Sequence, residues 1–486
     1  MKWCFLLNSL EPFMLEFLGK LCFQAEKEGN ECILIINSKI GEYAKKRHFP
    51  ESTRFFSKID WCMENYQKDR EGIFDNFSWK NIFSDFDRSN AYDRFNYQDS
   101  LEMVSQLHQF IDFVFQKEKP DVVVHEIVGG LFSQVVYHLC VKHGITFLGL
   151  SSSRFPDRID VYDSEHTCSK YEKTFEKLGQ NDISAEERAF VKNFADGFVS
   201  HKKLPYYIEY HLNYAKANIL AEYWKREKKM IRPWLKYYSK RKKFKPFDYE
   251  SERQLKYFFW YPWKALRQKI RAFFPKKIFS HPNYKGKFFL YPLHSQPESS
   301  TSVLAPYFCD QLNTIRNIAF ALPLPYKLYV KEHPVARGER TSDFYRKLKE
   351  FPNAVLIAPN ENTGELVKNS SGVITLSSTV GLEAALAGKK VYVLGNVFYS
   401  YHPLCQKVGS FEELRQEIEK RLNASPIAPD ALEEINIRFL ASYYRNTLPG
   451  DVRSASLEKD AHDYPKIYQE IKKIFFDNMQ APFFRS

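Results

Sequence analysis

Two short stretches about 45 residues apart hold side chains that can bind an anion. The first reads Leu328-Tyr329-Val330-Lys331-Glu332-His333-Pro334. Its apolar half predicts a strand that delivers Lys331 and His333 to its carboxyl end, where Pro334 stops the pairing. In open α/β sheets ligands bind outside the carboxyl ends of the strands. A lysine and a histidine there can meet a phosphate or a carboxylate. Taken alone, the pair reads equally as a solvated lysine and a strand-capping histidine.

The second stretch gives that site its weight. A strand, Val373-Ile374-Thr375-Leu376, leads into Ser377-Ser378-Thr379-Val380-Gly381-Leu382-Glu383-Ala384-Ala385. Three hydroxyls fall where a helix begins, and its free N–H groups and dipole favour an anion. N-capping needs only one of the three. Gly381 permits close backbone approach, and Glu383, one turn into the helix, can bond a ribose. A third stretch follows the strand ending at Tyr291 and offers His294, Gln296 and Glu298 on the same sheet edge, or simply a polar loop. In the first half of the chain, Val124-His125-Glu126 ends an apolar strand just before Gly129-Gly130. Glu126 there can act as a general base on an acceptor hydroxyl or as a nucleophile; a helix cap or a surface carboxylate is the plain alternative. Arg154 and Asp157, after the next strand, are further candidates.

Strands and helices must alternate to put these residues on sheet edges. Strands are expected at 3–8, 32–36, 120–126 and 145–150, with helices at 11–28, 99–117 and 131–143. Residues 50–98 show no clean period and read as a loop-rich excursion with short helices. The rhythm resumes at 287–291 and continues with strands at 327–330, 354–357, 372–376 and 391–394 and helices at 306–322, 342–350, 363–369 and 381–387. Continuous apolar strands alternating with helices imply parallel, doubly wound sheets. The expected class is α/β, GT-B-like: a Rossmann-like domain at 1–183, a helical basic and aromatic insert at 184–284, a second Rossmann-like domain at 285–410 and C-terminal helices at 411–486.

The net charge of +12 is concentrated. Residues 225–277 hold 19 Lys/Arg against 4 Asp/Glu, a local +15, which leaves −3 for the remainder. Aromatics interleave with these cations, as at Tyr237, Tyr238, Trp260 and Trp263. That mixture suits an anionic membrane surface, a basic helix packing its aromatics on the body, or, less favoured, single-stranded nucleic acid. The eight cysteines show no metal spacing, as expected of reduced thiols in a cytosolic protein. The short apolar run after Met1 is not read as a signal peptide, and no stretch approaches a membrane span. The expected location is cytoplasmic, peripheral at the inner membrane face if the basic segment binds lipid.

The pieces PLHSQPESS, LYVKEHP, SSTVGLEAALAGKKVYVLG and FYSY, in this order between Tyr291 and Tyr401, resemble the capsule polysaccharide biosynthesis family of bacterial glycosyltransferases. The resemblance covers about a quarter of the chain. It implies transfer of a sugar from a nucleotide donor to a surface glycan or glycolipid. Some members use CMP-linked 3-deoxy-manno-octulosonic acid (Kdo), so a CMP-linked donor is expected. Carried over, His333 and the hydroxyls of Ser377, Ser378 and Thr379 hold the donor phosphate, with Lys331 and Gly381 beside them, and Glu383 lies near the ribose. No Asp-x-Asp sits at a strand end, so neither a metal nor a resident cofactor is expected. A nucleotide-sugar epimerase, a polyol-phosphate polymerase of teichoic-acid type and a nucleic-acid-binding protein remain as alternatives.

Overall fold

In this computed structural model the described residues are 1–8, 12–44, 48–68, 74, 77–89, 95–200, 231–273, 278–336, 338–422, 425, 427–453 and 462–476. They form two compact units. The first holds the described residues of Met1–Lys170, Leu220–Trp260 and Tyr444–Ser486; the second holds those of Tyr171–Ile219 and Tyr261–Tyr443.

The first unit contributes β1 (Lys2–Leu7), β2 (Glu31–Ile36), β3 (Arg54–Ser57), β4 (Val122–Glu126), β5 (Thr146–Ser152) and β6 (Arg158–Tyr162). The second contributes β7 (Phe288–Pro292), β8 (Lys327–Lys331), β9 (Ala354–Ile357), β10 (Val373–Thr375), β11 (Val391–Val393) and β12 (Cys405–Lys407). A two-residue strand, β13 (Leu448–Pro449), returns to the first sheet. The sheet orders are β13-β6-β5-β4-β1-β2-β3 and β12-β11-β10-β7-β8-β9. Each chain of strands starts in the middle of its sheet, runs to one edge, then resumes beside its starting strand and runs to the other. That is the doubly wound Rossmann-like pattern, and with two such sheets the class is α/β and GT-B-like.

The apolar runs of β1, β2, β4 and β7 are buried almost throughout, which fits parallel strands covered on both faces. The antiparallel strands β6 and β13 close one edge of the first sheet. After β13 the helix Tyr464–Ile471 packs on the helix Pro12–Lys27. There Asn30 donates to the Tyr468 phenol at 2.8 Å, and the Tyr468 ring lies 5.3 Å from that of Trp3.

Residues 50–98 hold more order than their composition announces. They supply the four-residue edge strand β3 and the helices Lys58–Asn65 and Trp79–Ser89. An edge strand that is mostly unburied and four residues long leaves no alternation to read. The single helix expected at 306–322 is broken. A 3₁₀ turn covers Pro306–Phe308, and Asp310 then caps the helix Gln311–Ala321 by accepting from the Asn313 N–H at 3.1 Å.

Residues 201–230 of the insert expected at 184–284 lie outside the described residues. On one side of them the helix Ala185–Ser200 packs against the helix Thr379–Leu386 in the second unit. On the other, Trp234, Tyr237 and Phe244 bury their rings beside Ile40 and Ile59 of the first unit. The buried Asp248 fixes this attachment by accepting from the Lys39 N–H at 2.9 Å and from the N–H and hydroxyl of Ser251 at 2.9 and 2.8 Å. Among the described residues no helix is long and apolar enough to cross a membrane.

Candidate functional site

The second sheet changes direction between β7 and β10, and β8 flanks β7 on its other side. The turns after β7, β8 and β10 therefore share one carboxyl edge, and they carry His294, residues 331–334 and Ser377. His294 and Ser377 meet directly. The Ser377 backbone N–H donates to Nε2 of His294 at 3.1 Å. With Nε2 accepting, the imidazole proton belongs on Nδ1. That atom is buried and has no hydrogen-bond partner among the described residues. Burial pushes the His294 imidazole down to about 3, helped by His333 and by the Arg340 charge. His294 is thus a neutral donor at any physiological pH. Gln311 holds its backbone on both sides, accepting from the His294 N–H at 2.8 Å and donating to its carbonyl at 3.0 Å.

The Lys331 side chain is buried and donates from Nζ to the Pro359 carbonyl at 3.1 Å. Burial lowers it to about 8, opposed chiefly by the carboxylate of Glu383. Glu383 is buried in turn, and burial raises it to about 8 while Lys331 pulls the other way. Burial brings both groups close to titration inside the edge, and each opposes the shift of the other. Strand alternation sends Glu332 to the opposite face from Lys331. It is fully buried and takes three donors: the His333 N–H at 2.8 Å, the Tyr345 hydroxyl at 2.6 Å and the Arg340 guanidinium. His333 remains half-buried at the edge.

The three hydroxyls divide their work. Ser377 donates to the Ser300 carbonyl at 2.5 Å. Ser378 is the N-cap of the helix Thr379–Leu386 and accepts from the Val380 N–H at 3.2 Å. Only Thr379, half-buried in the first helical position, has a hydroxyl without a partner among the described residues. The helix begins two residues earlier than the sequence pattern indicates because Ser378 caps it. Gly381 answers to packing: a Cβ there would lie 2.4 Å from the Tyr399 hydroxyl oxygen and 3.1 Å from Thr375 Cγ2. Its φ is not positive, so glycine serves here for the room that Tyr399 occupies.

The polar loop after β7 is mostly structural. Gln296 donates to the Cys309 carbonyl and accepts from Gln311, both at 2.7 Å. Glu298 is exposed and starts the short helix Ser299–Ser302, and its carboxylate accepts from Ser300 at 3.0 Å. In the first unit, Glu126 ends β4 half-buried, in register with Leu150 of β5. The strand order reverses between β4 and β1, so Glu126 stands at that sheet's own switch point. Arg154 is half-buried in the β5–β6 turn, which also holds Asp157 at a left-handed φ of 54°.

Sequence reasoning overlooked Gln311, Glu332, Arg340 and Tyr345. Glu332 is flanked by the two residues the motif draws attention to. Arg340 carries no local signal, because its partners come from two different strand ends.

The part of the chain that holds this sheet edge is similar to known proteins. Residues 235–425 match the family described as capsule polysaccharide biosynthesis protein. FixF of Sinorhizobium fredii (strain NBRC 101917 / NGR234) is 28% identical over 172 residues, covering 35% of this chain and 40% of FixF. The capsule polysaccharide export protein KpsS of Escherichia coli is 26% identical over 159 residues, covering 28% of this chain and 40% of KpsS. The chain thus spans 40% of the length of each of these relatives. Among solved structures, Thermosulfurimonas dismutans KpsC, beta Kdo 2,4 transferase, shares 14% identity over 66% of this chain and 80% of that one, with a TM-score of 0.35. The stretch that matches the capsule polysaccharide biosynthesis protein family contains the whole second sheet with its strand-end turns.

Proposed function

We propose that the chain is a glycosyltransferase that moves a sugar from a nucleotide donor to a surface or capsular polysaccharide acceptor. The donor phosphate is received at the carboxyl edge of the second sheet. The observation that carries this reading is the join of His294 to Ser377 across the switch point, beside the open Thr379 hydroxyl. Thr379 and the helix N-terminus offer donors there, and His333 stands on the same edge. In this reading they stabilise charge on the leaving nucleotide as it develops. Glu383 bonds the ribose, and Glu126 serves the acceptor as base or attacks the donor as nucleophile.

The charges favour a nucleoside monophosphate donor, with CMP-linked Kdo as the finer reading. Arg340 is matched by Glu332, His294 is neutral, and Glu383 is mostly protonated, which leaves the buried Lys331 as the cation. The edge therefore offers little net positive charge, enough for the single charge of a phosphodiester and poorly suited to a bare diphosphate. The names of two relatives, a capsule polysaccharide export protein and a capsule polysaccharide modification protein, agree with a surface-glycan role.

An anionic membrane surface is the proposed location. Lys240, Lys242, Lys243 and Lys245 are exposed beside the exposed Leu235 and Tyr238, while the rings of Trp234, Tyr237 and Phe244 anchor the segment. Cosedimentation with anionic vesicles tests this, and a wild type that never pellets ends it. The donor assignment is tested by thermal shift against CMP, CDP, UDP and GDP, since a ligand of the native state raises its stability. CMP should raise the midpoint most; stabilisation by UDP or GDP in its place would redirect the reading.

A further inference from the structure

Between the two strand ends that carry His294 and His333, one side chain reaches both. Arg340 donates from Nη1 to Glu332 and from Nη2 to the His294 carbonyl oxygen. Its side chain is only 9% exposed, and Glu332 is fully buried. Through Glu332 the same guanidinium holds the turn after β8, because that carboxylate also accepts from the His333 N–H at 2.8 Å. Tyr345, on the helix Ser342–Leu348, donates to the second carboxylate oxygen at 2.6 Å and fixes Glu332 from behind. The planar fork of an arginine can serve an acid and a carbonyl at once, which a lysine ammonium on a flexible stem does not reproduce.

We propose that Arg340 is a positioning residue for the phosphate site: it ties the β7 turn to the β8 turn, so that His294 and His333 are held at a fixed separation on one edge. This rests on the reading of that edge as a donor-phosphate site. Arg340 itself touches no substrate. Its own charge is matched by Glu332 and its stem is walled by Phe344, whose ring centroid lies 5.4 Å from the guanidinium carbon. It acts by removing the freedom of two loops before the ligand arrives, and preorganisation of this kind strengthens binding by lowering the ordering cost.

The test is Arg340→Lys, which keeps the charge and loses the fork. Two signals are read on full-length protein: the imidazole nitrogen spectrum of histidine-labelled protein, and the affinity for CMP by calorimetry. Wild type should give one sharp His294 signal of the Nδ1-protonated tautomer. In Arg340→Lys that signal should split or broaden, and CMP affinity should fall at least tenfold. A His294 signal unchanged from wild type overturns the proposal, whether or not CMP affinity falls. If wild type binds no CMP while the His294 signal still changes in the variant, the tie stands and the nucleotide reading fails. Should Arg340→Lys not fold, Tyr345→Phe removes one of the three donors to Glu332. A smaller change in the same two signals is then expected, and no change in either overturns the proposal.

Discussion

The Ser377 N–H and the His294 Nε2 atom lie 3.1 Å apart and join two strand ends that are 83 residues apart in sequence. The bond fixes the histidine tautomer, closes the switch point of the second sheet and leaves Nδ1–H as a buried donor. It depends on a neutral ring, because a doubly protonated imidazole has no acceptor to offer the Ser377 N–H.

That dependence gives the second unit an acid limit. Burial lowers His294 to about 3 and His402 to about 4. Below the ordinary value near 6.5 the unfolded chain gains these protons and the native state does not. Stability is therefore complete above about pH 6.5 and falls as pH drops. For the two histidines the loss is about 2 kcal/mol between pH 6.5 and 5.5. Hydrogen exchange of peptides covering β7 and β10 reads it. Protection that stays level over this range would show that both rings are protonated in the native state as well. In the first unit Asp248 works with the opposite sign, since burial raises it to about 6 and the native state takes up its proton first.

Thr379 and Ser378 should separate cleanly. Ser378→Ala removes the cap of the helix Thr379–Leu386 and should cost about 1 kcal/mol of stability. Thr379→Ala takes away a hydroxyl with no structural bond and should change stability by less than about 0.5 kcal/mol. Nucleotide affinity should fall about tenfold in Thr379→Ala, the worth of one good hydrogen bond to a charged group. Calorimetry with equal loss in both variants would mean that the hydroxyls act through the helix alone.

Gly381 and Tyr399 are coupled by lack of space. Gly381→Ala drives a Cβ to 2.4 Å from the Tyr399 hydroxyl oxygen. It should cost about 1–3 kcal/mol, the usual range for overpacking. In a Tyr399→Phe background the same change should cost less, so denaturant midpoints over the four proteins should be non-additive. Simple additivity would place the two residues further apart than described.

Much of the fold was legible in the sequence because its signals are local. Continuous apolar strands such as β1, β2 and β7, each followed by a helix period, dictate parallel doubly wound sheets. The short strands β3, β12 and β13 hold four, three and two residues, too few for a period, and owe their pairing to neighbours. At the site, a strand end and a helix start mark Lys331, His333, Ser378 and Thr379. What stayed hidden is the division of labour. The residue types do not say that Ser377 is held by a carbonyl 77 positions away, that Gln296 braces a loop, or that Gly381 makes room for Tyr399. Each follows from contacts between segments that only the sheet brings together.

Glu383 should prove dispensable for folding and not for binding. Its carboxyl is raised to about 8 and is mostly neutral at pH 7, so an amide of the same shape should cost less than about 1 kcal/mol. Glu383 is first among the groups holding Lys331 up. Glu383→Gln should therefore lower the Lys331 titration below its wild-type value of about 8, as followed by carbon NMR of labelled lysine. An unmoved midpoint would uncouple the pair.

The most direct test of the account is a calorimetric titration of CMP into wild type and His333→Ala. Wild type should bind one CMP per chain, and the variant should bind at least tenfold more weakly with its thermal midpoint kept. Equal affinity in the two proteins, or a wild type that binds none of CMP, CDP, UDP and GDP, would contradict the assignment of this sheet edge as a nucleotide-phosphate site.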